Sequence, residues 1–189
     1  MIADLAPVLT QQHPEELEMI LEIYRGLKPK RVLEIGSLQG GTLYHWLRNA
    51  EPGAIVASID LPLNIAAQVA RLKWGSWATE SNVTLAAWIG DSGNPILVNR
   101  AYKLAPYDFI FVDGDHSFEG VNRDFNNYLQ MVRPGGCIAF HDIAAPDDSY
   151  HIQVGKWWRQ LVATGKYNTQ ELVRFPGSDS GGIGVIWQS

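Results

Sequence analysis

Short apolar runs alternate along the chain with longer segments in which apolar residues recur every three or four positions. The runs at residues 31–35, 54–59, 83–89, 107–112 and 137–140 are each followed by glycine, aspartate or histidine. Short buried runs bounded by turn residues are typical of the strands of a parallel sheet, so we predict five such strands. Helical spacing predicts helices at residues 14–27, 41–48, 65–74, 95–104, 117–132 and 154–163.

Turn residues mark several boundaries of these elements. The sequence Gly75-Ser-Trp77 is expected to break the third helix, and Arg133-Pro-Gly-Gly136 is expected to end the fifth. Ser117 is expected to cap the N-terminus of the fifth helix. The fourth helix follows Gly90-Asp91-Ser92, so Asp91 or Ser92 is expected to be its N-cap, and either side chain is also placed to meet a ligand.

Two further apolar runs, at residues 171–175 and 183–187, follow the alternating elements and are joined by a loop of glycine, serine and aspartate. Strands in direct succession are typical of an antiparallel pair. The sequence therefore predicts an α/β fold with a doubly wound, mostly parallel seven-stranded sheet that ends in an antiparallel pair. We expect a single domain, residues 1–189, with an N-terminal helical segment, residues 1–29, packed on it.

The turn after the first predicted strand has the composition of a ligand-binding loop. It reads Glu34-Ile-Gly36-Ser37-Leu38-Gln-Gly40-Gly41-Thr42. Its glycines let a ligand approach the backbone closely, and its threonine lies where the N-terminus of a helix leaves N–H groups free. Because Leu38 replaces the middle glycine of the dinucleotide pattern, a pyrophosphate is disfavoured. Glu34, expected to be buried beside the turn, favours a cationic ligand group.

Carboxylates and histidines follow the other predicted strands. Asp60 lies about 20 residues beyond the glycine loop, where nucleotide-binding folds place a carboxylate against ribose hydroxyls. The sequences Asp113-Gly-Asp-His116 and His141-Asp142 follow the fourth and fifth strands. The carboxyl ends of parallel strands meet at one edge of a sheet, so these groups are expected to share one site. Carboxylates crowded there repel one another unless a cation or a proton joins them, which favours a divalent metal.

The motif Glu-Ile-Gly-x-x-x-Gly-Gly-Thr resembles the first motif of class I S-adenosylmethionine-dependent methyltransferases. The resemblance implies S-adenosylmethionine (SAM) as the cofactor. It also implies that Asp91 and Ser92 lie against the adenine, with one of them accepting a hydrogen bond from its exocyclic amine. The cofactor site implied by the resemblance consists of Glu34, Gly36, Ser37, Gly40, Gly41, Thr42, Asp60, Leu61, Asp91, Ser92 and Asp113.

A second set of motifs narrows this resemblance. Phe-Ile-Phe-Val-Asp-Gly-Asp-His-Ser-Phe-Glu-Gly-Val, then Arg-Pro-Gly-Gly and Phe-His-Asp, is similar to the metal-dependent macrolide-sugar and rhamnosyl O-methyltransferases and the cephalosporin-hydroxylase-associated proteins. It resembles catechol O-methyltransferase more distantly. The resemblance implies that Asp113 and Asp142 bind a divalent metal and that His116 is the catalytic general base. The implied reaction is O-methylation of a hydroxyl on a sugar or diol.

One position departs from this family pattern. Relatives with magnesium sites usually have a carboxylate where this chain has His141, and magnesium prefers oxygen ligands. His141 is therefore expected either to be a third metal ligand, which favours manganese, iron or zinc over magnesium, or to orient Asp142. Successive residues of a regular strand point to opposite faces, so both side chains can bind one ion only if the strand curls at its end.

The composition limits the partners. A formal net charge of -5 offers no electrostatic basis for binding nucleic acid or an anionic membrane, so a small-molecule acceptor is expected. Cys137 is the single cysteine and is predicted to be a buried thiol. The N-terminal sequence has no leader pattern and no run of transmembrane length, which predicts a cytoplasmic protein. Self-association stays open at this stage.

Aromatic side chains and three loops are the candidates for acceptor binding. Trp74, Trp77, Phe118, Trp157 and Trp158 belong either to the core or to the wall of a substrate pocket. The loops at residues 61–64, 144–151 and 176–181 are expected to determine the acceptor.

Three rival functions remain open. A metal-dependent glycosyltransferase would use Asp113-Gly-Asp115 to hold a nucleotide sugar, but it leaves the glycine loop unexplained. A nicotinamide oxidoreductase would use Asp60, but it requires a glycine at Leu38. A non-catalytic SAM-binding protein would need neither the metal nor the base.

Overall fold

The computed structural model describes residues 7–8, 10–62 and 65–189. Within these residues a seven-stranded sheet has the order β3-β2-β1-β4-β5-β7-β6. The strands are β1 (Arg31–Ile35), β2 (Ile55–Asp60), β3 (Thr84–Ile89), β4 (Tyr107–Val112), β5 (Val132–His141), β6 (Asn168–Leu172) and β7 (Ile183–Trp187). Strands β1 to β5 pair in parallel, and β7 runs antiparallel to both β5 and β6. The predicted α/β fold is confirmed.

Seven α-helices connect and cover the strands in the described part of the chain. They are α1 (Pro14–Leu27), α2 (Gly41–Asn49), α3 (Ile65–Arg71), α4 (Trp74–Glu80), α5 (Pro95–Leu104), α6 (Phe118–Tyr128) and α7 (Val154–Ala163). A 3-10 turn, Leu129–Met131, follows α6. None of the helices described is long and apolar enough to cross a lipid bilayer. Parts of two predicted segments lie outside the described residues: residues 1–6 and 9 of the N-terminal segment, and residues 63 and 64 of the first acceptor loop.

The predicted break at Gly75 is wrong. The helix is interrupted earlier, between α3 and α4, where the Lys73 amide bonds the carbonyl of Ala70 in a turn. Gly75 lies inside α4 because Trp74 and Trp77, which flank it, are 3% and 5% exposed and pack into the core. Burial of two indoles outweighs the local preference of Gly75 against a helix.

The predicted caps had mixed outcomes. Ser117 caps α6 as expected, because its hydroxyl accepts a hydrogen bond from the Gly120 amide at 3.0 Å. The prediction for α5 is wrong: the cap is Asn94, whose Oδ1 accepts a hydrogen bond from the Ile96 amide at 2.9 Å. The carboxylate of Asp91 accepts the Gly93 amide instead, within the turn that precedes the helix.

Two strand boundaries also differ from prediction. Strand β5 begins at Val132, so the segment 133–136 does not simply end a helix but enters the sheet through a register shift opposite β4. There the Gly135 amide bonds the carbonyl of Gln188 at 2.8 Å, and the Gln188 amide bonds that of Gly136 at 2.9 Å. Strand β6 is Asn168–Leu172 rather than residues 171–175, because its pairing with β7 ends at Leu172.

Each face of the sheet carries an apolar cluster. Side chains alternate between the faces along a strand, so Leu33 and Ile110 pack with α5, α6 and α7, whereas Val32 and Phe109 pack with α1, α2 and α4. Four of the aromatic candidates are core residues at most 5% exposed: Trp74, Trp77, Trp157 and Trp158. Cys137 is buried as predicted, and burial raises the pKa of its thiol to about 12.

Candidate active site

A cavity of about 460 Å³ lies at the carboxyl ends of β1 to β4. The turns that follow these four strands line it, together with residues just before α1. Predicted site residues in its wall are Gly36, Ser37, Gly41, Thr42, Asp60, Leu61, Asp91, Ser92, Asp113 and His116. The structure thus gathers at one cavity predicted site residues that are up to 80 positions apart in the chain, from Gly36 to His116.

The glycine loop is held tightly against β4. Gly36 has φ +84°, and a Cβ there would lie 1.9 Å from the carbonyl oxygen of Asp113, so only glycine fits. Gly40 has φ +92°, and a Cβ there would lie 2.3 Å from Nε1 of Trp74. Gly40 faces this indole rather than the cavity wall. These close contacts fix the loop and expose the N-terminal turn of α2 to the cavity.

Glu34 lies beneath the loop rather than against a ligand. Its side chain is 0% exposed and does not line the cavity, unlike the predicted contact with a cationic group. Trp46 Nε1 donates to its Oε1 at 2.7 Å, and the hydroxyl of Ser37 donates to its Oε2. Burial raises the pKa of Glu34 to about 7. Its physical role here is to hold Ser37, and with it the loop.

Asp60 lines the cavity at the end of β2. Its Oδ2 accepts the Leu38 amide at 2.7 Å and the Arg71 guanidinium at 2.6 Å, while its Oδ1 accepts the Leu61 amide at 2.8 Å. Arg71, which the sequence analysis missed, lies 5.4 Å from the ring centroid of Trp74. The carboxylate is therefore fixed in position by neighbours on three sides before any ligand arrives.

Asp91 and Ser92 follow β3 and differ in their availability. The Asp91 side chain is 55% exposed and pairs with Arg123 at 3.0 Å. The hydroxyl of Ser92 instead donates to Asp124 at 2.7 Å, away from a ligand. Asp124, also missed by the sequence analysis, is fully buried, and burial raises its pKa to about 6. Asp91 is thus the more available of the two predicted adenine contacts.

The turns after β4 and β5 bring two carboxylates and two histidines together. His141 Nδ1 lies 3.4 Å from Asp113 Oδ1 and 3.2 Å from Asp142 Oδ1. His116 Nε2 lies 3.4 Å from Asp113 Oδ1 and 3.6 Å from Asp142 Oδ2. We call these four residues the acidic centre. It adjoins the cavity at Asp113 and His116.

Burial and charge oppose one another in the acidic centre. Burial by itself would raise the pKa of Asp113, but His141 and His116 hold it well below its usual value. Burial would likewise lower the pKa of His141, but Asp113 and Asp142 raise it to about 10. The hydrogen bond to Asp113 raises the pKa of His116 above its ordinary value. The carboxylates of the centre therefore attract positive charge, whether from protons or from a metal.

The donor set of the acidic centre fits a divalent cation. One ligand atom each from Asp113, His141 and Asp142 lies within 4.8 Å of the others. Asp142 has φ +67°, a left-handed conformation that provides the curl needed for His141 and Asp142 to face the same site. Two carboxylates with one imidazole suit manganese, iron or zinc better than magnesium.

Three contacts to the acidic centre come from parts of the chain that the sequence analysis did not connect with it. Gln12 donates to Asp113 Oδ2 at 2.8 Å, and the Gly181 amide donates to Asp142 Oδ1 at 2.7 Å. The side-chain oxygen of Gln153 accepts a hydrogen bond from the Phe118 amide at 3.1 Å, and the backbone amide of Gln153 donates to the His116 carbonyl. These two bonds link the start of α7 to the His116 turn. No sequence motif marks Gln12 or Gln153.

The sheet order and the cavity at its strand ends define a class I methyltransferase fold. Residues 33–143 match the sequence profile of a family described as methyltransferase domain. Because this match spans more than half of the chain, the protein belongs to the methyltransferase domain family.

Individual relatives agree with this assignment. An uncharacterized protein of Acanthamoeba polyphaga mimivirus is 35% identical over 144 residues, which are 72% of this chain and 62% of that protein. Demethylmacrocin O-methyltransferase of Streptomyces fradiae is 29% identical over 121 residues, which are 60% of this chain and 27% of that protein. The chain therefore spans less than two thirds of the length of either relative.

A solved structure shows the same fold. The O-methyltransferase of Bacillus cereus in complex with SAH superimposes with a TM-score of 0.72 at 17% sequence identity. The superposition covers 93% of this chain and 82% of that one.

Proposed function

We propose that the protein is a SAM-dependent O-methyltransferase that methylates a hydroxyl of a small molecule, a sugar or diol, with the help of a divalent cation. One observation carries the proposal: a single cavity is lined both by the glycine loop with Asp60 and by Asp113 and His116 of the acidic centre. We call the part of the cavity at the glycine loop, Asp60 and Asp91 the donor end and the part at the acidic centre the acceptor end. The family membership supports methyl transfer, and the SAH in the B. cereus structure supports the methyl donor.

The donor end of the cavity suits an adenosyl amino acid. Asp60 offers carboxylate oxygens to ribose hydroxyls, and the half-exposed Asp91 accepts a hydrogen bond from the adenine amine. The narrow glycine loop offers backbone N–H groups to the amino-acid part. Because Leu38 has φ 48° in this loop, the backbone has the left-handed turn of a nucleotide-binding loop but retains a side chain where a dinucleotide-binding loop has glycine.

The acceptor end suits deprotonation of a hydroxyl. His116 has a side chain 39% exposed, and its Nε2 faces both carboxylates of the centre. The neutral imidazole accepts the hydroxyl proton as the oxygen attacks the methyl group, and Asp113 stabilises the imidazolium that forms. A divalent cation bound by Asp113, His141 and Asp142 would lower the pKa of the acceptor hydroxyl and fix its oxygen.

A small acceptor fits the composition and the relatives. A net charge of -5 does not favour nucleic acid or an anionic membrane. The S. fradiae relative is named demethylmacrocin O-methyltransferase, which supports a hydroxyl-bearing small molecule as the acceptor class. Vicinal oxygens are proposed because three protein ligands leave coordination positions free on a six-coordinate cation, enough for two acceptor oxygens.

Ligand titration tests the donor. Calorimetry with SAM, a nicotinamide dinucleotide and a uridine diphosphate sugar is expected to give heat only with SAM. Heat from the dinucleotide or the nucleotide sugar alone would instead support the oxidoreductase or the glycosyltransferase. Methyl transfer to a panel of sugars and diols then separates an enzyme from a non-catalytic SAM-binding protein.

A metal scan tests the cation. The purified protein is titrated with Mn²⁺, Mg²⁺ and Zn²⁺, and the titration is repeated with Asp113→Asn and Asp142→Asn. We expect both variants to lose most of the affinity, because each loses an anionic ligand. Unchanged affinity in both variants would refute the ligand assignment without affecting the assignment of the methyl donor.

A further inference from the structure

The segment that leads into α1 contacts the acidic centre although it lies outside the family match at residues 33–143. Gln12, immediately before α1, is 6% exposed and donates to Asp113 Oδ2 at 2.8 Å. Glu16, four residues later, is 1% exposed. Both side chains reach the end of the sheet that carries the centre: Gln12 bonds Asp113, which follows β4, and Glu16 bonds the Gly182 amide, which precedes β7.

Glu16 binds the connection between β6 and β7. Its Oε2 accepts the Gly182 amide at 2.8 Å, and its Oε1 accepts the Arg174 amide at 2.8 Å. Both donors are backbone groups at the two ends of that connection. A buried carboxylate that accepts two backbone amides holds them in a fixed relative position, because either lost bond leaves a buried polar group unpaired.

The glycine pair 181–182 passes this constraint to Asp142. The Gly181 amide donates to Asp142 Oδ1 at 2.7 Å, and the Gly181 carbonyl accepts the Ala144 amide at 2.9 Å. Gly181 and Gly182 have φ +91° and +73°, and a Cβ at Gly181 would lie 3.0 Å from the His13 ring. The pair is therefore packed between α1 and the end of β5, with one amide on Glu16 and the next on Asp142.

We propose that Gln12 and Glu16 are positioning residues for the cation site. Gln12 orients Asp113 directly, and Glu16 orients Asp142 through Gly181 and Gly182. The inference rests on the proposed function, since it assumes that the acidic centre binds a divalent cation. Groups that orient metal ligands typically contribute ten- to a hundredfold to metal affinity.

A purely architectural role is the alternative, in which the two polar side chains only hold α1 on the sheet. Apolar contacts already do this: Leu17, Ile20, Leu21 and Tyr24 are each 0% exposed and belong to one core cluster. On the architectural alternative, substitution of Glu16 lowers the thermal stability but leaves the cation affinity of the folded protein unchanged. On the proposal, the cation affinity itself falls.

The test is calorimetric titration with Mn²⁺ of the full chain and of the variants Gln12→Met and Glu16→Gln, well below their unfolding temperatures. Gln12→Met keeps the length of the side chain and removes the donor to Asp113. Glu16→Gln keeps the shape of the side chain but replaces one acceptor oxygen with an NH₂ group. That NH₂ group faces a backbone N–H, which loses its hydrogen-bond acceptor. Glu15→Gln is the matched control, because Glu15 is the exposed neighbour in the same turn.

We expect both variants to bind Mn²⁺ about ten- to a hundredfold more weakly, while the control stays within about twofold. Glu16→Gln is expected to keep its affinity for SAH within about twofold. The Gly181 amide proton is expected to exchange faster in this variant. If Glu16→Gln does not fold, Gln12→Met decides, since Gln12 precedes the helix.

The outcomes separate the two levels of inference. Equal Mn²⁺ affinity in the unsubstituted chain and in both variants overturns the positioning role and leaves the proposed function intact. Absence of Mn²⁺ binding to the unsubstituted chain overturns the cation in the proposed function and this inference with it. SAH binding in the same samples then still tests the methyl donor.

Discussion

The two ends of the site both carry carboxylates, but they balance the charge in different ways. At the donor end Asp60 pairs with Arg71 and Asp91 pairs with Arg123, so guanidinium groups that are always protonated supply the positive charge. At the acceptor end the carboxylates of the acidic centre face histidines instead. A histidine can give up its proton to a base or to a competing metal ion, whereas an arginine cannot.

The difference indicates a division of labour along the cavity. A carboxylate paired with a permanent cation is held in one geometry, which suits recognition of fixed hydroxyl and amine groups. A centre balanced by histidines can exchange protons for a metal ion and can accept a proton from an acceptor. Substitutions at the two ends are therefore expected to change different measurements.

The largest expected effect is at the acceptor end. His116→Ala removes the proposed general base, so kcat is expected to fall by at least about a hundredfold. SAH binding is expected to change by less than about twofold, because the donor end stays intact. Single-turnover methyl transfer and SAH calorimetry on the same sample measure both quantities. A His116→Ala variant with full kcat would remove this residue from the mechanism, and a parallel loss of SAH affinity would contradict the division.

Asp124 lies behind the donor end, where it accepts the hydroxyl of Ser92. It is a buried carboxyl with a structural role, so we expect its substitution to change stability rather than catalysis. Its folded pKa of about 6 exceeds the ordinary 3.8, so the folded state retains its proton where the unfolded chain has lost it. Stability from this group is present below about pH 4 and is lost as the pH rises through 6. The two pKa values differ by about two units, which corresponds to about 3 kcal/mol.

Asp124→Asn is expected to remove this penalty. The variant should be more stable than the unsubstituted chain at pH 8, by up to about 3 kcal/mol, and similar to it at pH 4. Urea unfolding at both pH values measures the difference, in which the other titrating groups cancel. A stability difference that does not change with pH would show that folding does not shift the pKa of Asp124.

The elements that the sequence predicted well are those whose patterns are local. Helices α1, α5 and α7 and strands β1, β4 and β7 begin and end as expected, because apolar spacing and a turn residue specify them. The break before α4 was misplaced because the burial of Trp74 and Trp77 decided it. That burial depends on α2 and the sheet, which no local pattern describes.

The candidate site divides in the same way. Convergence of Asp60, Asp113 and His116 on one cavity follows from parallel strands, whose carboxyl ends must meet at one edge. Gln12 and Arg71 reach the site only because α1 and α3 pack where they do. The spacing of apolar residues in α1 and α3 indicates which helix face packs on the sheet. It does not specify which strand end a polar side chain near that face will contact.

A more moderate effect is expected at Asp60. Asp60→Asn keeps the shape of the side chain but removes its charge, so SAH affinity is expected to fall about tenfold, the typical effect of a charge-assisted hydrogen bond. Mn²⁺ affinity is expected to stay within about twofold, because Asp60 is not part of the acidic centre. Titrations of one sample with SAH and with Mn²⁺ measure the two affinities. Equal losses of both affinities would show that the two ends act as one site.

The smallest effect is expected where an ion pair at the donor end is exposed. The side chains of Arg123 and Asp91 are 40% and 55% exposed, against 12% and 9% for Arg71 and Asp60. Arg123→Met is therefore expected to lower the free energy of unfolding by no more than about 0.5 kcal/mol, and added salt should reduce the loss further.

Arg71→Met should lower the free energy of unfolding more, and this loss should respond less to salt, because the substitution leaves the buried Asp60 carboxylate without its cation. Urea unfolding of both variants at low and high salt measures this contrast. Equal, salt-independent losses of unfolding free energy would mean that exposure does not distinguish the two ion pairs. Both arginines would then stabilise the geometry of the donor end to the same extent.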